Sequence, residues 1–166
     1  IGISMKHIQR GLEKFKGVGR RMEILHRGKD VIAIDDYGHH PTEIKATLDA
    51  IRRAYAGRLV VLFQPHRYSR TRDLFKDFVS SFDLADHLFV TGVYSAGESS
   101  ITGVSGRKLA EAIKARKKDK VAYLPSSKKM LDQVIDELKP GDVFLSLGAG
   151  DVTQMGRKVA KAIKAW

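Results

Sequence analysis

Five short apolar runs recur along this chain: Val31-Ile32-Ala33-Ile34, Leu59 to Phe63, Leu88-Phe89-Val90, Val121 to Leu124 and Val143 to Leu147. Each is short and almost wholly apolar, and the first is rich in β-branched residues, as strands covered on both faces are. Between them, apolar residues recur at helical spacing, over 42 to 55, about 71 to 84, and last over Val152 to Ala165. Strands joined through helices pair in parallel with right-handed crossovers. The alternation therefore predicts an α/β fold, a three-layer, doubly wound, Rossmann-like sheet of five parallel strands. One antiparallel edge strand is added, because Met22 to His26 alternates like a half-covered strand and Gly28-Lys29-Asp30 turns it into Val31.

Ahead of the sheet, Met5, Ile8, Leu12 and Phe15 fall at helical spacing behind a capping Ser4, and Gly17 with Gly19 ends the helix. This helix has little of its own to pack on. It reads as part of another domain, and the opening Ile in place of Met suggests a fragment or processed chain.

A chain of 166 residues, 43% of them hydrophobic, is long enough for one well-cored domain plus that short appendage. No segment approaches ~20 apolar residues, and residues 1 to 6 contain no secretory h-region, so no membrane partner is expected. The absence of cysteine excludes disulfides and thiolate zinc sites and fits a reducing compartment, with the bacterial cytoplasm as the expectation. A formal charge of +11 favours anionic partners. Much of it sits in lysines at helix ends and turns, Lys114 to Lys120, Lys128-Lys129 and Lys158 to Lys164, where a solvated face explains it. With no RNP-type aromatic pattern and no zinc-finger spacing, no nucleic-acid partner is expected.

The stretch Asp35-Asp36-Tyr37-Gly38-His39-His40-Pro41-Thr42-Glu43 joins the first buried run to a helix start. Proline suits a first helical turn, and Ile44, Thr47, Leu48 and Ile51 follow at helical spacing. Two carboxylates, a phenol and two imidazoles thus gather beyond the carboxyl end of a strand, where open α/β sheets bind ligands. Turn chemistry alone is the competing reading. His39 and His40 are adjacent, so their side chains point apart and do not share one role, and no metal site is expected here.

A second such edge is Gln64-Pro65-His66-Arg67-Tyr68-Ser69-Arg70-Thr71-Arg72-Asp73. Arg67 and Arg70 are three apart and, if the helix has begun, share a face able to grip one carboxylate or phosphate. Cations at the positive end of a helix dipole are mildly unfavourable, which a bound anion would relieve. Gly148-Ala149-Gly150-Asp151 reads as a tight structural turn first, and Thr91 to Glu98 is a long loop, equally a rim or a site. No Gly-x-x-x-x-Gly-Lys-Ser/Thr occurs, so this chain alone has no cradle for a nucleotide triphosphate.

Phe15-Lys16-Gly17-Val18-Gly19-Arg20-Arg21-Met22-Glu23, Asp35 to Glu43, Gln64 to Arg72, Tyr94 to Glu98 and Gly148 to Asp151 stand in the order of the signatures of one family. From Gly2 to about Ala162 the chain resembles the C-terminal domain of the bacterial Mur amino-acid ligases. Within that family it is most similar to the branch that adds L-alanine to UDP-N-acetylmuramate in peptidoglycan precursor synthesis. The murein tripeptide ligase branch shares the His-His-Pro loop but differs where Gln64 to Arg72 stands.

The resemblance implies an ATP-dependent acid–amino-acid ligase working through an acyl phosphate, with ATP and Mg2+ held mainly by a central domain. Residues 1–16 would be the tail helix of that ATPase domain, 17–166 the C-terminal domain, and Gly17 to Arg20 the hinge. The central and UDP-binding N-terminal domains would be its partners, and the fragment would be inactive alone. By the same resemblance Arg21 reaches the terminal phosphate and Asp36 the ATP ribose. Arg67 and Arg70 hold the carboxylate of alanine, while Tyr37, His39 and His66 line its pocket and orient the amine. His39 is the candidate general base. A free-standing module that binds a small anion or nucleotide is the alternative.

Overall fold

The computed structural model describes residues 2–15, 17–28, 30–117, 120–125 and 129–165. Lys16, Lys29, Lys118 and Lys128, which figure in the motifs and lysine segments above, lie outside the described residues.

Helix α1 (Met5–Lys14) carries no buried residue, and Met5, Ile8, Leu12 and Phe15 are all exposed. Its apolar face is the expected one and is uncovered here. Ser4 stands at the N-cap, but its hydroxyl bonds the His7 ring rather than a backbone N–H.

Strands β1 (Glu23–Arg27) and β2 (Val31–Asp36) form the antiparallel edge hairpin. Then come α2 (Pro41–Ala54), β3 (Leu59–Phe63), the short helices α3 (Tyr68–Asp73) and α4 (Phe75–Val79), and β4 (His87–Val90). Helix α5 (Gly106–Lys117), β5 (Val121–Tyr123), α6 (Met130–Glu137), β6 (Asp142–Leu147) and α7 (Val152–Ala162) complete the series. The sheet has six strands in the order β1-β2-β6-β3-β4-β5, with every pairing after the first parallel.

Successive residues of a strand face opposite sides, and both sides are buried. Leu59, Val61 and Phe63 join Ile44, Leu48, Phe78, Leu109 and Ile113 in one core layer; Val60 and Leu62 join Met130, Val134, Val152 and Val159 in the other. Helices α2, α4 and α5 therefore cover one face, and α6 with α7 the other.

Two expectations need correction. The first buried run does not stop at Ile34. Strand β2 continues through Asp35 and Asp36, paired with Ser146 and Leu147 of β6, because donors within the domain satisfy both carboxylates. The helix expected over 71 to 84 is instead α3 and α4, jointed at Leu74, and it ends where the Ser80 and Ser81 hydroxyls turn back to the Asp77 carbonyl.

Strand order also locates a crevice. The chain leaves β2 and β3 toward the α2/α4 face but leaves β6, which lies between them, toward the α7 face. Loops that part in opposite directions open a cleft at the carboxyl edge, the usual ligand position in such sheets.

Candidate functional site

Around that crevice stand the loops that follow β2, β3, β4 and β6, together with residues 20 to 22 of the linker. Tyr37 leaves β2 with its N–H bonded to the Arg20 carbonyl at 2.7 Å. The guanidinium groups of Arg20 and Arg21 lie 4.7 and 5.3 Å from its ring centroid, and the His39 ring meets it edge-on at 5.3 Å.

His39 Nδ1 is 3.1 Å from the Tyr37 carbonyl, which only accepts, so this nitrogen carries the proton. Glu43 Oε2 lies 3.6 Å from the same nitrogen. In the neutral ring, Nε2 therefore keeps its lone pair. Burial pushes the Glu43 carboxyl up, but the backbone N–H groups of His39 and His40, with the charge His39 carries when protonated and that of Arg21, outweigh it and hold the group below its ordinary value. His40 is exposed and caps α2, its Nδ1 accepting from Thr42 N–H at 3.3 Å, so the two histidines do diverge.

His66 is wired in the opposite sense. Its Nδ1 accepts from Arg70 Nη1 at 3.2 Å, because a guanidinium can only donate. Burial first, and then the charge His39 carries when protonated and the charges of Arg70 and Arg67, lower its pKa, so at neutral pH the ring is uncharged with its proton on Nε2. The His66 ring stands between His39, 5.4 Å away, and Tyr94, stacked at 5.5 Å and 14°. Arg21, Tyr37, His39, His66 and Arg70 are thus brought together.

Arg67 departs from the expected helical geometry. It is the N-cap of α3, with φ 70° and ψ 135°, so it does not share a helical face with Arg70. Its N–H bonds the Tyr94 carbonyl at 2.8 Å, and its carbonyl accepts from Thr71 N–H at 3.1 Å and Thr71 Oγ1 at 2.8 Å. Among the described residues no hydrogen bond or ion pair uses its guanidinium, which is exposed and whose charge acts on His66 and Glu98. Glu98 supports the start of α3 by accepting from Ser69 Oγ at 2.6 Å and Ser69 N–H at 3.0 Å.

Both carboxylates of β2 lie beneath this surface. Asp35 is fully buried and accepts from Ser146 Oγ (2.5 Å) and Thr153 Oγ1 (2.9 Å), which removes it from the group of exposed ligand-binding candidates. Asp36 is 4% exposed and accepts from Met22 N–H, Gly38 N–H and Thr47 Oγ1. Arg20, taken from the sequence only as the hinge end, reaches across the crevice, its Nη2 donating to the Gly148 carbonyl at 2.6 Å and the Gly150 carbonyl at 3.1 Å. The Gly-x-Gly turn thus has a structural partner. Tyr94, Glu43 and Glu98 also belong to the site; the sequence carried all three in family motifs without assigning them roles.

Among the described residues no three His, Asp or Glu side chains converge on a possible metal position. No helix among them is long and apolar enough to cross a membrane. What the arrangement offers is an exposed guanidinium, a second guanidinium fixed on a neutral imidazole, and an imidazole lone pair. Those are groups for a carboxylate and an amine.

Residues 20–150 match the family described as Mur ligase, glutamate ligase domain. A UDP-N-acetylmuramate–L-alanine ligase of Geotalea uraniireducens is 43% identical over 99% of this chain and 36% of its own length. The crystal structure of a UDP-N-acetylmuramate-alanine ligase from Thermotoga maritima superposes with a TM-score of 0.78 at 26% identity, covering 99% of this chain and 34% of that one. A murein peptide ligase from Psychrobacter arcticus gives a TM-score of 0.65 at 25% identity, covering 98% and 34%. The chain spans about a third of the length of the relatives it matches.

Proposed function

The chain belongs to the family of the Mur ligase glutamate ligase domain, and from that premise we propose that it is the amino-acid-binding lobe of an ATP-dependent ligase joining L-alanine to UDP-N-acetylmuramate. In this reading the muramate carboxylate is activated as an acyl phosphate. The amine of alanine attacks the acyl carbon, phosphate leaves, and a C–N bond forms. Arg67 and Arg70 hold the alanine carboxylate, and Tyr37, His39 and His66 line the space beside it. His39 Nε2 takes the proton released by the amine, since its Nδ1 side is already committed to the Tyr37 carbonyl.

The observation that carries the reading is the complementary wiring of the two imidazoles, together with the Arg67 guanidinium, which is exposed and has no hydrogen-bond or ion-pair partner among the described residues. A carboxylate and an amine held on one small molecule match those three groups. The resemblance in Gln64 to Arg72 supports the alanine-adding branch over the murein tripeptide ligase branch.

ATP and a divalent metal supply the activation step when bound. This chain contributes only rim contacts to them. Arg21 is exposed, 3.8 Å from Glu43 Oε1, and able to swing toward a terminal phosphate. Asp36 is 4% exposed beneath Met22, whose N–H bonds its Oδ2, so it meets the ribose once the linker moves aside. With neither a phosphate-cradling loop nor a metal-holding cluster among the described residues, the nucleotide belongs mainly to the central domain, to which α1 also belongs. Gly17 (φ 86°) to Arg20 forms the joint.

The test is formation of UDP-N-acetylmuramoyl-L-alanine by the full-length protein, compared with its Arg67→Ala variant across alanine and ATP titrations. The expected result is a large rise in the alanine requirement with ATP dependence retained. Unchanged alanine dependence would remove Arg67 from the amino acid, and the absence of product from the unaltered protein would remove the ligase reading.

A further inference from the structure

We infer that Tyr94 sets the upper size limit of the amino-acid pocket, its ring forming the wall between that pocket and a cavity behind it. The inference rests on the ligase reading above and deepens it. Arginines and histidines that hold a carboxylate and an amine touch groups common to every α-amino acid. They cannot measure a side chain, so selectivity for a small substrate needs a steric element.

Tyr94 occupies the right place. One face of its ring stacks on His66 at 5.5 Å and 14°. Tyr94 also lines a cavity of about 380 Å3 that opens between the loop after β4 and the α6/α7 layer. Its lining includes Val93, Met130, Val152 and Met155, with exposed Gln154 and Lys158 among its polar residues. The aliphatic part of that lining suits a branched or thioether side chain, and a methyl group has no need of it.

The wall is built rather than incidental. Tyr94 N–H bonds the Pro65 carbonyl at 2.8 Å, and its own carbonyl accepts Arg67 N–H at 2.8 Å, so the backbone carrying the wall is tied to the arginine loop. Gly150 is what lets the ring sit there. A Cβ at that position would stand 2.6 Å from Tyr94 Cγ and 2.9 Å from its Cβ. A larger amino acid must therefore displace His66 and Tyr94 together, against a stacked pair and a fixed loop.

The experiment compares kcat/KM for L-valine and L-methionine with that for L-alanine in the full-length ligase carrying Tyr94→Ala, Tyr94→Leu or Tyr94→Phe. One methylene in an apolar pocket discriminates by about 10- to 200-fold. The ratio of valine or methionine to alanine should rise at least about tenfold in the Ala and Leu variants. Tyr94→Phe, which keeps the ring and loses the hydroxyl, should retain the wild-type ratio. Ratios unchanged in both Ala and Leu variants overturn the inference. Loss of activity toward all three amino acids in both, in protein folded by circular dichroism, also overturns it, since the ring would then be needed to hold His66 in place rather than to limit side-chain size. Failure of the unaltered enzyme to make UDP-N-acetylmuramoyl-L-alanine is a separate outcome, and it overturns the ligase reading alone.

Discussion

Arg67 permits an experiment in which function and stability move in opposite directions. Its φ of 70° and ψ of 135° lie where a side chain meets its own backbone, and such a position costs a non-glycine residue about 1–3 kcal/mol. The conformation persists because the Tyr94 carbonyl and the Thr71 N–H and hydroxyl hold both sides of the peptide unit. Replacing Arg67 by Gly removes the strain while leaving those backbone bonds. Replacing it by Ala keeps the strain, so Ala is the proper reference. Glycine gives back about 0.5–1 kcal/mol through the freedom of the unfolded chain. The net expectation is that Arg67→Gly is more stable than Arg67→Ala by about 0.5–2 kcal/mol, or about 1–8 °C in Tm for a domain of this size. Urea unfolding of this chain followed by circular dichroism reads the difference directly. In the full-length ligase both variants lose the guanidinium, and both should need more alanine, by about 10- to 150-fold for each charge-assisted bond removed. An Arg67→Gly protein no more stable than Arg67→Ala would refute the argument that this residue is strained in order to place its guanidinium.

Three further outcomes follow from other parts of the structure. Arg58 donates to Asp142 through Nε (3.0 Å) and Nη2 (2.8 Å) and to Glu137 through Nη1 (2.6 Å), and Asp142 is 4% exposed. Arg58→Ala should therefore destabilise the chain by about 3 kcal/mol in urea unfolding, the low end for a broken buried pair because the guanidinium is partly exposed, and Arg58→Ala with Asp142→Asn should recover part of that loss. Gly150→Ala should cost about 1–3 kcal/mol by overpacking against the Gln64 amide and the Tyr94 ring, read in the same assay, and a neutral result would mean the loop is looser than its contacts imply. Burial, with Arg58 and Lys120 acting against Glu137, lowers the His87 pKa below its ordinary 6.5. Below pH 6.5 the unfolded chain then binds more protons than the folded one, so His87 contributes stability that is present above 6.5 and lost as pH falls toward its folded value. The drop in urea midpoint between about pH 7.5 and pH 5.5 should be smaller in His87→Gln than in wild type.

The architecture was legible because its signal is local. Val31, Leu59 and Val143 each begin a short apolar run between helical segments, whose length distinguishes a doubly covered strand from a helix, and Gly28-Lys29-Asp30 marked the hairpin. Strand order was not legible, since nothing in Val143 to Leu147 says that this run inserts between β2 and β3. The same limit hid the fate of Asp35. A carboxylate after an apolar run looks like a loop residue until Ser146 and Thr153, more than a hundred positions away, are seen to satisfy it. At the site, residue types and motifs pointed to the correct loops. The backbone at Arg67 and the stacking of Tyr94 on His66 depend on pairing between loops remote in sequence, and spacing within one loop does not encode that.

The position of β6 has a consequence for synthesis. Both of its neighbours, β2 and β3, are made long before it, yet they meet only through it. A nascent chain ending before Asp142 holds a two-stranded hairpin and a separate group of β3, β4 and β5, with the facing edges of β2 and β3 unpaired. Neither piece has the central strand that joins them, and exposed edges of this kind are prone to pair with other chains. The domain therefore folds late and as a unit: shortening it from the carboxyl end by the reach of β6 and α7 should remove the whole sheet rather than its last strand.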